Sequence, residues 1–478
     1  MNIAVILEMA ASAGDRPAVT EGGRSLSAAE LHRLARHAAD RFRDRTAVLY
    51  LGPNHLAYPV ALFGAACAGV RFVPLNYRLG DEQLNALILR HPGAEVLHPA
   101  DLDALLTPPS GEAEWRPVPE DRDATAVVLY TSGTTAAPKA ALLRHRHLLA
   151  YVFNTQDFGA AEPSDASLVA LPPYHVAGLM NLVTNLYAGR RVVYQSAFGP
   201  ADWLATVRRE GVTHAMVVPT MLARITAELG DEEAGVPTLR SLAYGGARCP
   251  RPVVERALRQ FPRTGFVNAY GLTETASSVC VLGPDDHWRA ITSDDPAVRA
   301  RLGSVGRPLP GVEVAIRDDD GKPLGPGETG LVFVRGEQIS GEYAEPSGGA
   351  DTDGWFATRD RGRLDEDGYL SIEGRADDTI IRGGENIAPA EIEDVLLQYP
   401  GVRDAAVLGL SDPEWGQRLV AVLVGVGEPD EIRSFAKERL RSSKAPDSIV
   451  FRPELPRTPT GKLLRRTLVA ELEEAYDA

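Results

Sequence analysis

Residues 127–143, VVLYTSGTTAAPKAALL, decide how this chain is read. Four branched or aromatic residues, 127–130, form a strand-like run. It opens into the hydroxyl-rich loop Thr131-Ser132-Gly133-Thr134-Thr135, which closes on Pro138-Lys139. A loop of this kind offers backbone and side-chain donors, with a lysine cation, to phosphate oxygens. The common phosphate loop has the pattern G-x-x-x-x-G-K-[ST] and wraps onto a helix. Here only Gly133 precedes Lys139, at a different spacing, and Ala140 follows the lysine, so that motif is excluded. Taken alone, the loop is equally well a polar surface turn.

Outward from the loop, from about residue 28 to 280, short apolar strands alternate with helical patterns. TAVLYL (46–51) is followed by the helical HLAYPVALFGAACAGV and then by RFVPL; RRVVYQ (190–195), HAMVV (214–218) and RSLAYGG (240–246) read as further buried strands. Such alternation predicts an α/β fold of parallel sheets covered by helices. After about 300, GSVGRPLPGVEVAIRDDDGKPLGPGETGLVFVRG is dense in Gly and Pro, which predicts a small antiparallel barrel or meander over about 300–373. Near EGRADDTIIRGGENIAP (373–389) the composition shifts again, and about a hundred residues remain, enough for a separate α+β domain. The expected boundary divides 1–375 from 376–478.

The 478 residues exceed one compact core. A net charge of −15 argues against nucleic acid or an anionic membrane as main partner, because both need clustered positive charge. Cys67, Cys249 and Cys280 have neither paired nor metal-like spacing and read as free thiols. The first residues, MNIAVILEMAASAGDRP, lack the basic region of a signal peptide, and no apolar stretch approaches the ~20 residues that cross a bilayer. A cytoplasmic location is expected.

Four motifs in order break the tie over the loop. YTSGTTAAPK, NAYGLTET (268–275), TRDRGRLDEDGYLSIEGRADDTIIRGGENIAPAEIE (358–393) and PRTPTGKLLR (456–465) resemble the adenylate-forming superfamily of acyl-CoA synthetases, luciferases and peptide-synthetase adenylation domains. VPLNYRLG, LPPYHVAGL and YGGARCP extend the resemblance over essentially the whole chain, and RGGENIAPAEIE looks most like the acyl-CoA synthetase branch. The resemblance implies a large N-terminal domain of two helix-covered β-sheets plus a small β-barrel, with a small mobile α+β C-terminal domain. It implies that a carboxylate attacks the α-phosphorus of ATP, giving acyl-AMP and pyrophosphate, and that coenzyme A then displaces AMP. ATP, Mg²⁺ and coenzyme A are thus the expected cofactors, and a small organic acid, with an acyl carrier protein as an alternative acceptor, the expected partner.

Carried over residue by residue, the resemblance places Thr131, Ser132, Gly133, Thr134, Thr135 and Lys139 on the β- and γ-phosphates, and Glu274 on Mg²⁺. Tyr270 would stack on adenine, with Gly271 and Thr273 beside it, while Gly245, Gly246 and Ala247 run along the adenine and the acyl group. Asp360 would take the ribose hydroxyls, Arg375 the ribose or α-phosphate region, and Asp377 the hinge. Lys462 would enter for adenylation, bridging carboxylate and α-phosphate. His175 would stand beside the acyl group, and Thr135, Glu274, His175 and Lys462 carry the chemistry. Plainer alternatives stand beside these: a helix-start carboxylate for Glu274, a salt bridge from Arg375 to Asp377 or Asp378, an exposed turn for Lys462 and a structural role for His175. Asn181 and Asn185 face either the acyl pocket or neighbouring backbone.

The chain departs from the family at Ala136 and Ala140, where the loop usually has glycine. If either needs a positive φ, alanine costs roughly 1–2 kcal/mol. It departs again at Arg359, where glycine usually precedes the ribose aspartate. Arg359 and Arg361 either add positive charge by the nucleotide or pair with Asp365 and Glu366. Three further readings remain at this stage: an adenylating enzyme serving a carrier-protein thiol or an amine, one acting on a non-carboxylic oxyacid, and a non-catalytic nucleotide-binding scaffold.

Overall fold

The apolar run 127–130 lies in the strand Thr125–Thr131, buried through its middle because branched side chains on both faces meet covering elements. The computed structural model describes residues 1–478 apart from 108–116, 132–137, 346–348, 383–384, 413–414, 459–460 and 478. This strand lies parallel to Arg71–Pro74 and antiparallel to the edge strand Lys139–Arg144, with Thr131 opposite Lys139. The hydroxyl-rich loop therefore joins two antiparallel strands instead of a strand and a helix, which is why its spacing differs from the common phosphate loop. The five-stranded sheet is completed by Ala47–Tyr50 and Glu95–Leu97.

A nine-stranded sheet stands beside it. Its centre is parallel, formed by Arg191–Tyr194, Ala166–Val169, His214–Val217, Ser241–Gly245 and Gly265–Leu272, and antiparallel strands close both edges. The helix Ala57–Ala68 is buried on all sides up to Cys67, as its uninterrupted apolar sequence requires. One core joins side chains of both sheets, among them Phe72, Leu129, Val169 and Val192, through this helix and Val176–Ala188.

The Gly/Pro-rich stretch forms the meander of the two expected forms. Val312–Arg317, Gly330–Gly336, Phe356–Leu364 and Leu370–Arg375 pair antiparallel in sequence order. Single bridges, Ala141 to Tyr343 and Gly306 to Leu370, tie it to both large sheets.

From Ile380 onward the packing is separate. In the strands Val402–Asp412 and Gly416–Gly425, alternate residues point to opposite faces. Ala405, Val407, Ala421 and Leu423 enter one core with Ile392 and Ile432, whereas Ala406, Leu408, Val420 and Val422 enter another with Leu468 and Leu472. This part touches the rest through Arg248, which donates to the Ala390 carbonyl at 2.9 Å and pairs with Asp394, and through Gly461, packed on Thr220. Asp377 is exposed in the short turn Ala376–Asp378 between the two sets of cores. All three cysteines are free, and among the described residues no helix is long and apolar enough to cross a membrane.

Candidate active site

A cavity of about 370 Å³ opens where the two large sheets, the meander and the C-terminal part meet. Its walls bring together residues far apart in sequence: Thr131 and Lys139, His175, Gly245 and Gly246, Gly271, Thr273 and Glu274, Arg359 and Arg375, and Lys462. Gly245 is required by packing, because a Cβ there would strike the Ala269 carbonyl of the next strand, and Gly246 turns away at φ +81°. Of the expected loop residues, Ser132, Gly133, Thr134, Thr135 and Ala136 lie outside the described residues.

Glu274 is buried in the short turn Thr273–Thr275, and its Oε1 accepts the Tyr343 hydroxyl at 2.5 Å. Sequence reading missed Tyr343. Its ring also lies under the Lys139 ammonium, 5.6 Å from the centroid. The segment carrying it runs as a short added strand along Lys139–Arg144: Leu142 N–H donates to the Glu342 carbonyl and Ala344 N–H to the Ala140 carbonyl, both at 2.9 Å. Ser340 and Gly341 N–H in turn donate to the Glu274 carbonyl. Arg90 donates to the Pro138 carbonyl at 3.1 Å and pairs with Glu345, fastening the end of the loop. One segment thus fixes the loop lysine and the buried carboxylate together. The only sequence signal was a tyrosine among glycines in ISGEYAEPSGG.

Among the described residues no three ligating side chains cluster for a metal ion. One cavity-lining carboxylate fits Mg²⁺, which binds through one or two carboxylates and completes its shell with substrate phosphates and water.

Asp360 and Tyr270 do not line the cavity. The Tyr270 hydroxyl donates to Asp360 Oδ2 at 2.5 Å, and Arg375 Nη1 donates to Oδ1 at 3.0 Å. Burial pushes the Asp360 carboxyl above the usual carboxylate range, and the Arg375 charge opposes that shift. Arg375 itself faces the cavity, so its partner is Asp360 and not Asp377 or Asp378, and Asp378 lies instead 3.7 Å from Arg465. Ala247 is likewise absent from the cavity wall.

The substitutions flagged in the sequence resolve differently from one another. Ala140 is in strand geometry and has no positive φ, so alanine carries no penalty there. Arg361 pairs with Asp319 at 3.0 Å, not with Asp365 or Glu366, because Arg301 takes Asp365. Arg359 does have φ +63°, a left-handed conformation costing a non-glycine residue about 1–2 kcal/mol. It lines the cavity, exposed, and has no ion-pair partner among the described residues.

The wall also contains Leu171, Tyr174, Val176, Ala177, Met216 and Val218. His175 precedes the helix Val176–Ala188, its ring 4.6 Å from that of Tyr174. Burial, and then the nearby Arg78, lower its pKa to about 4. His175 Nε2 and the Tyr174 hydroxyl are buried without a partner among the described residues. Asn181 and Asn185 are absent from this wall. Asn185 donates to Asn181 Oδ1 at 2.9 Å, and Ser167 and Arg190 complete the set.

The profile of the AMP-binding enzyme family matches residues 7–344, and that of the AMP-binding enzyme C-terminal domain matches 391–462. Feruloyl-CoA synthase of an Amycolatopsis species is 37% identical, with 94% of both chains covered. A fatty acid–[acyl-carrier-protein] ligase of Streptomyces coeruleorubidus is 34% identical over 95% of this chain and 92% of its own length. Among solved structures, o-succinylbenzoate CoA synthetase from Bacillus subtilis in complex with its acyl-adenylate intermediate superposes with a TM-score of 0.84, at 29% identity over 97% of each chain. The same enzyme with ATP and magnesium ion gives 0.82, over 97% of this chain and 98% of its own.

Proposed function

The chain belongs to the AMP-binding enzyme family of the adenylate-forming superfamily, and from that premise we propose that it is an AMP-forming acid–CoA ligase acting on an aromatic carboxylic acid. One observation carries the reading: Lys139, Glu274, Arg375 and Lys462, drawn from four separate parts of the chain, converge on one cavity whose wall also carries apolar and aromatic side chains. An acid oxygen attacks the α-phosphorus, the bond to the bridging oxygen breaks, and pyrophosphate leaves with the electron pair. Thioester formation with coenzyme A then releases AMP.

Lys139 and the Thr131 hydroxyl hold the outer phosphates, and Tyr343 keeps both Lys139 and the Glu274 carboxylate in place. Glu274 would hold Mg²⁺, which when bound would neutralise charge on the leaving pyrophosphate. Lys462 reaches the carboxylate and the α-phosphate oxygens together, which a flexible ammonium can do without transferring a proton. Arg375, oriented by Asp360, meets the ribose or α-phosphate. The acid lies against Tyr174, Met216 and Val218, and its polar substituent answers the unpartnered Tyr174 hydroxyl and His175 Nε2. The feruloyl and succinylbenzoate groups named for the relatives are aromatic and polar in this way. An acyl carrier protein is the second acceptor to test, since one relative is a ligase of that kind.

The test is pyrophosphate release from ATP and Mg²⁺ over a panel of acids, with and without coenzyme A, with product masses. Aromatic acids giving AMP and a CoA thioester support the reading. Production of ADP, or release stimulated by no acid, defeats it. Release stimulated by an acid but indifferent to coenzyme A defeats the acceptor assignment.

A further inference from the structure

We infer that Arg359 is a phosphate-contacting residue of the adenylation site, a third cation, beside Lys139 and Lys462, with no carboxylate partner among the described residues, and that it holds the departing pyrophosphate. The inference rests on the reading of the site above and assigns it a residue that the family pattern does not supply.

The backbone gives the first reason. Arg359 lies within the strand Phe356–Leu364 at φ +63°, where glycine would be unstrained. Strain of this kind persists where the surroundings over-determine it, and it gathers at functional sites. The surroundings here are rigid. Thr358 Oγ1 donates to the Val332 carbonyl at 2.9 Å and accepts Asp360 N–H at 3.1 Å, and Asp360 is held by Tyr270 and Arg375. Both neighbours are buried, whereas Arg359 is exposed in the cavity wall.

The charges give the second. Three arginines close by in sequence each have a carboxylate: Arg361 has Asp319, Arg363 has Glu373 and Arg375 has Asp360. Arg359 has none among the described residues, although the chain carries 65 acidic against 50 basic residues. It lines the same cavity as Glu274 and the Tyr343 that is bonded to it. Lys139 and Lys462, also without a carboxylate partner among the described residues, line the same cavity. Three cations without a carboxylate partner among the described residues, around one concave wall, suit a polyanion better than they suit adenosine or an aromatic acid. As pyrophosphate takes the electron pair of the breaking P–O bond, its charge rises and the guanidinium contact strengthens. Arginine remains protonated throughout, so no proton moves.

The full chain without acid substrate is titrated with ATP, inorganic pyrophosphate and AMP by calorimetry, with Tm recorded, for the wild type, Arg359→Gly and Arg359→Lys. Arg359→Gly is expected to weaken ATP and pyrophosphate about tenfold, the size of one lost charge-assisted hydrogen bond at a wet site. AMP, which lacks the outer phosphates, should be unmoved. Tm should hold or rise as the strain is released, and Arg359→Lys should keep most of the affinity. Unchanged ATP and pyrophosphate affinity in Arg359→Gly overturns the inference, as does an equal loss for AMP. A wild type that binds ATP and releases pyrophosphate while Arg359→Gly matches it refutes the inference alone. A wild type that does neither refutes the underlying reading.

Discussion

In the cavity wall Lys139, Glu274, Arg359, Arg375 and Lys462 present charge, while Leu171, Val176, Ala177, Met216 and Val218 present carbon. The charged part is held by side-chain partners of long sequence separation, as Tyr343 holds Glu274 across 69 residues and Arg375 holds Asp360 from the next strand. The segment carrying the apolar wall is held by packing and by hydrogen bonds to its backbone, from Asn54 to the Leu171 carbonyl and from the Tyr58 hydroxyl to the Pro173 carbonyl. The Tyr174 hydroxyl and His175 Nε2 are left without partners among the described residues. A triphosphate is the same in every reaction of this kind and can be met by fixed residue types. The acid differs from enzyme to enzyme, and its recognition is a matter of shape and of a few unanswered hydrogen bonds.

The sharpest way to break this comparison is at Lys462. Lys462→Ala should lower acid-dependent pyrophosphate exchange by about 10²–10³-fold, the usual scale for losing a donor to developing charge. Thioester formation from added acyl-AMP and coenzyme A should be much less affected. Stopped-flow measurement of the two halves separates them, and equal loss in both would mean that Lys462 supports the fold or both steps.

This asymmetry also governs what could be read from the sequence. Strands such as His214–Val217 and the buried helix Ala57–Ala68 were legible because burial demands continuous apolar runs. The lysine, the glutamate and the arginine of the charged part were legible because their motifs recur in the family. Tyr343 was not, since the bond that gives it a role joins segments brought together only by the bridge from the meander to the edge strand. The mutual bond of Tyr270 and Asp360 was hidden for the same reason. Read in the sequence as adenine and ribose contacts, the two are joined in the folded chain by the Tyr270 hydroxyl donating to Asp360. The left-handed backbone at Arg359 was anticipated only as a missing glycine. The apolar part was illegible throughout, because side chains from a loop, a helix start and two strand ends define one shape.

A smaller effect should appear in that part. Met216→Ala enlarges the apolar wall and should reduce kcat/KM for the preferred acid by roughly tenfold, within the range for a changed contact in an apolar pocket. KM for ATP should stay fixed. Steady-state kinetics with both substrates varied decides this, and parallel changes in the two KM values would dissolve the division between the two parts. In the charged part, Tyr343→Phe removes one hydrogen bond to a carboxylate and keeps the ring under Lys139. A loss of about tenfold or less in kcat/KM for ATP is expected, with a higher Mg²⁺ requirement, because Glu274 loses its restraint. A full tenfold loss without any shift in the Mg²⁺ titration would show that the hydroxyl acts elsewhere.

The smallest effect concerns protons. His175 titrates at about 4 in the folded chain, lowered by burial and then by Arg78, against an ordinary value of 6.5. Between these values the unfolded chain binds more protons than the folded one, so stability rises with pH across the window and is lost as pH falls through it. His145, His147 and His214 are lowered to about 4 by burial too, and burial also lowers His32, His91 and His287, so the wild-type slope of Tm against pH is shared among at least seven sites. His175→Gln should therefore flatten that slope only partly below about pH 6.5, and leave Tm unchanged near pH 8. For catalysis the same shift leaves His175 neutral at working pH, so that, placed against the acid as proposed, it would act by hydrogen bonding and not by charge. KM for the acid should accordingly be level from pH 6 to 8. A KM that improves on acidification through 6.5, and ceases to do so in His175→Gln, would show a charged imidazole, and the apolar part would then hold its ligand by the means of the charged part.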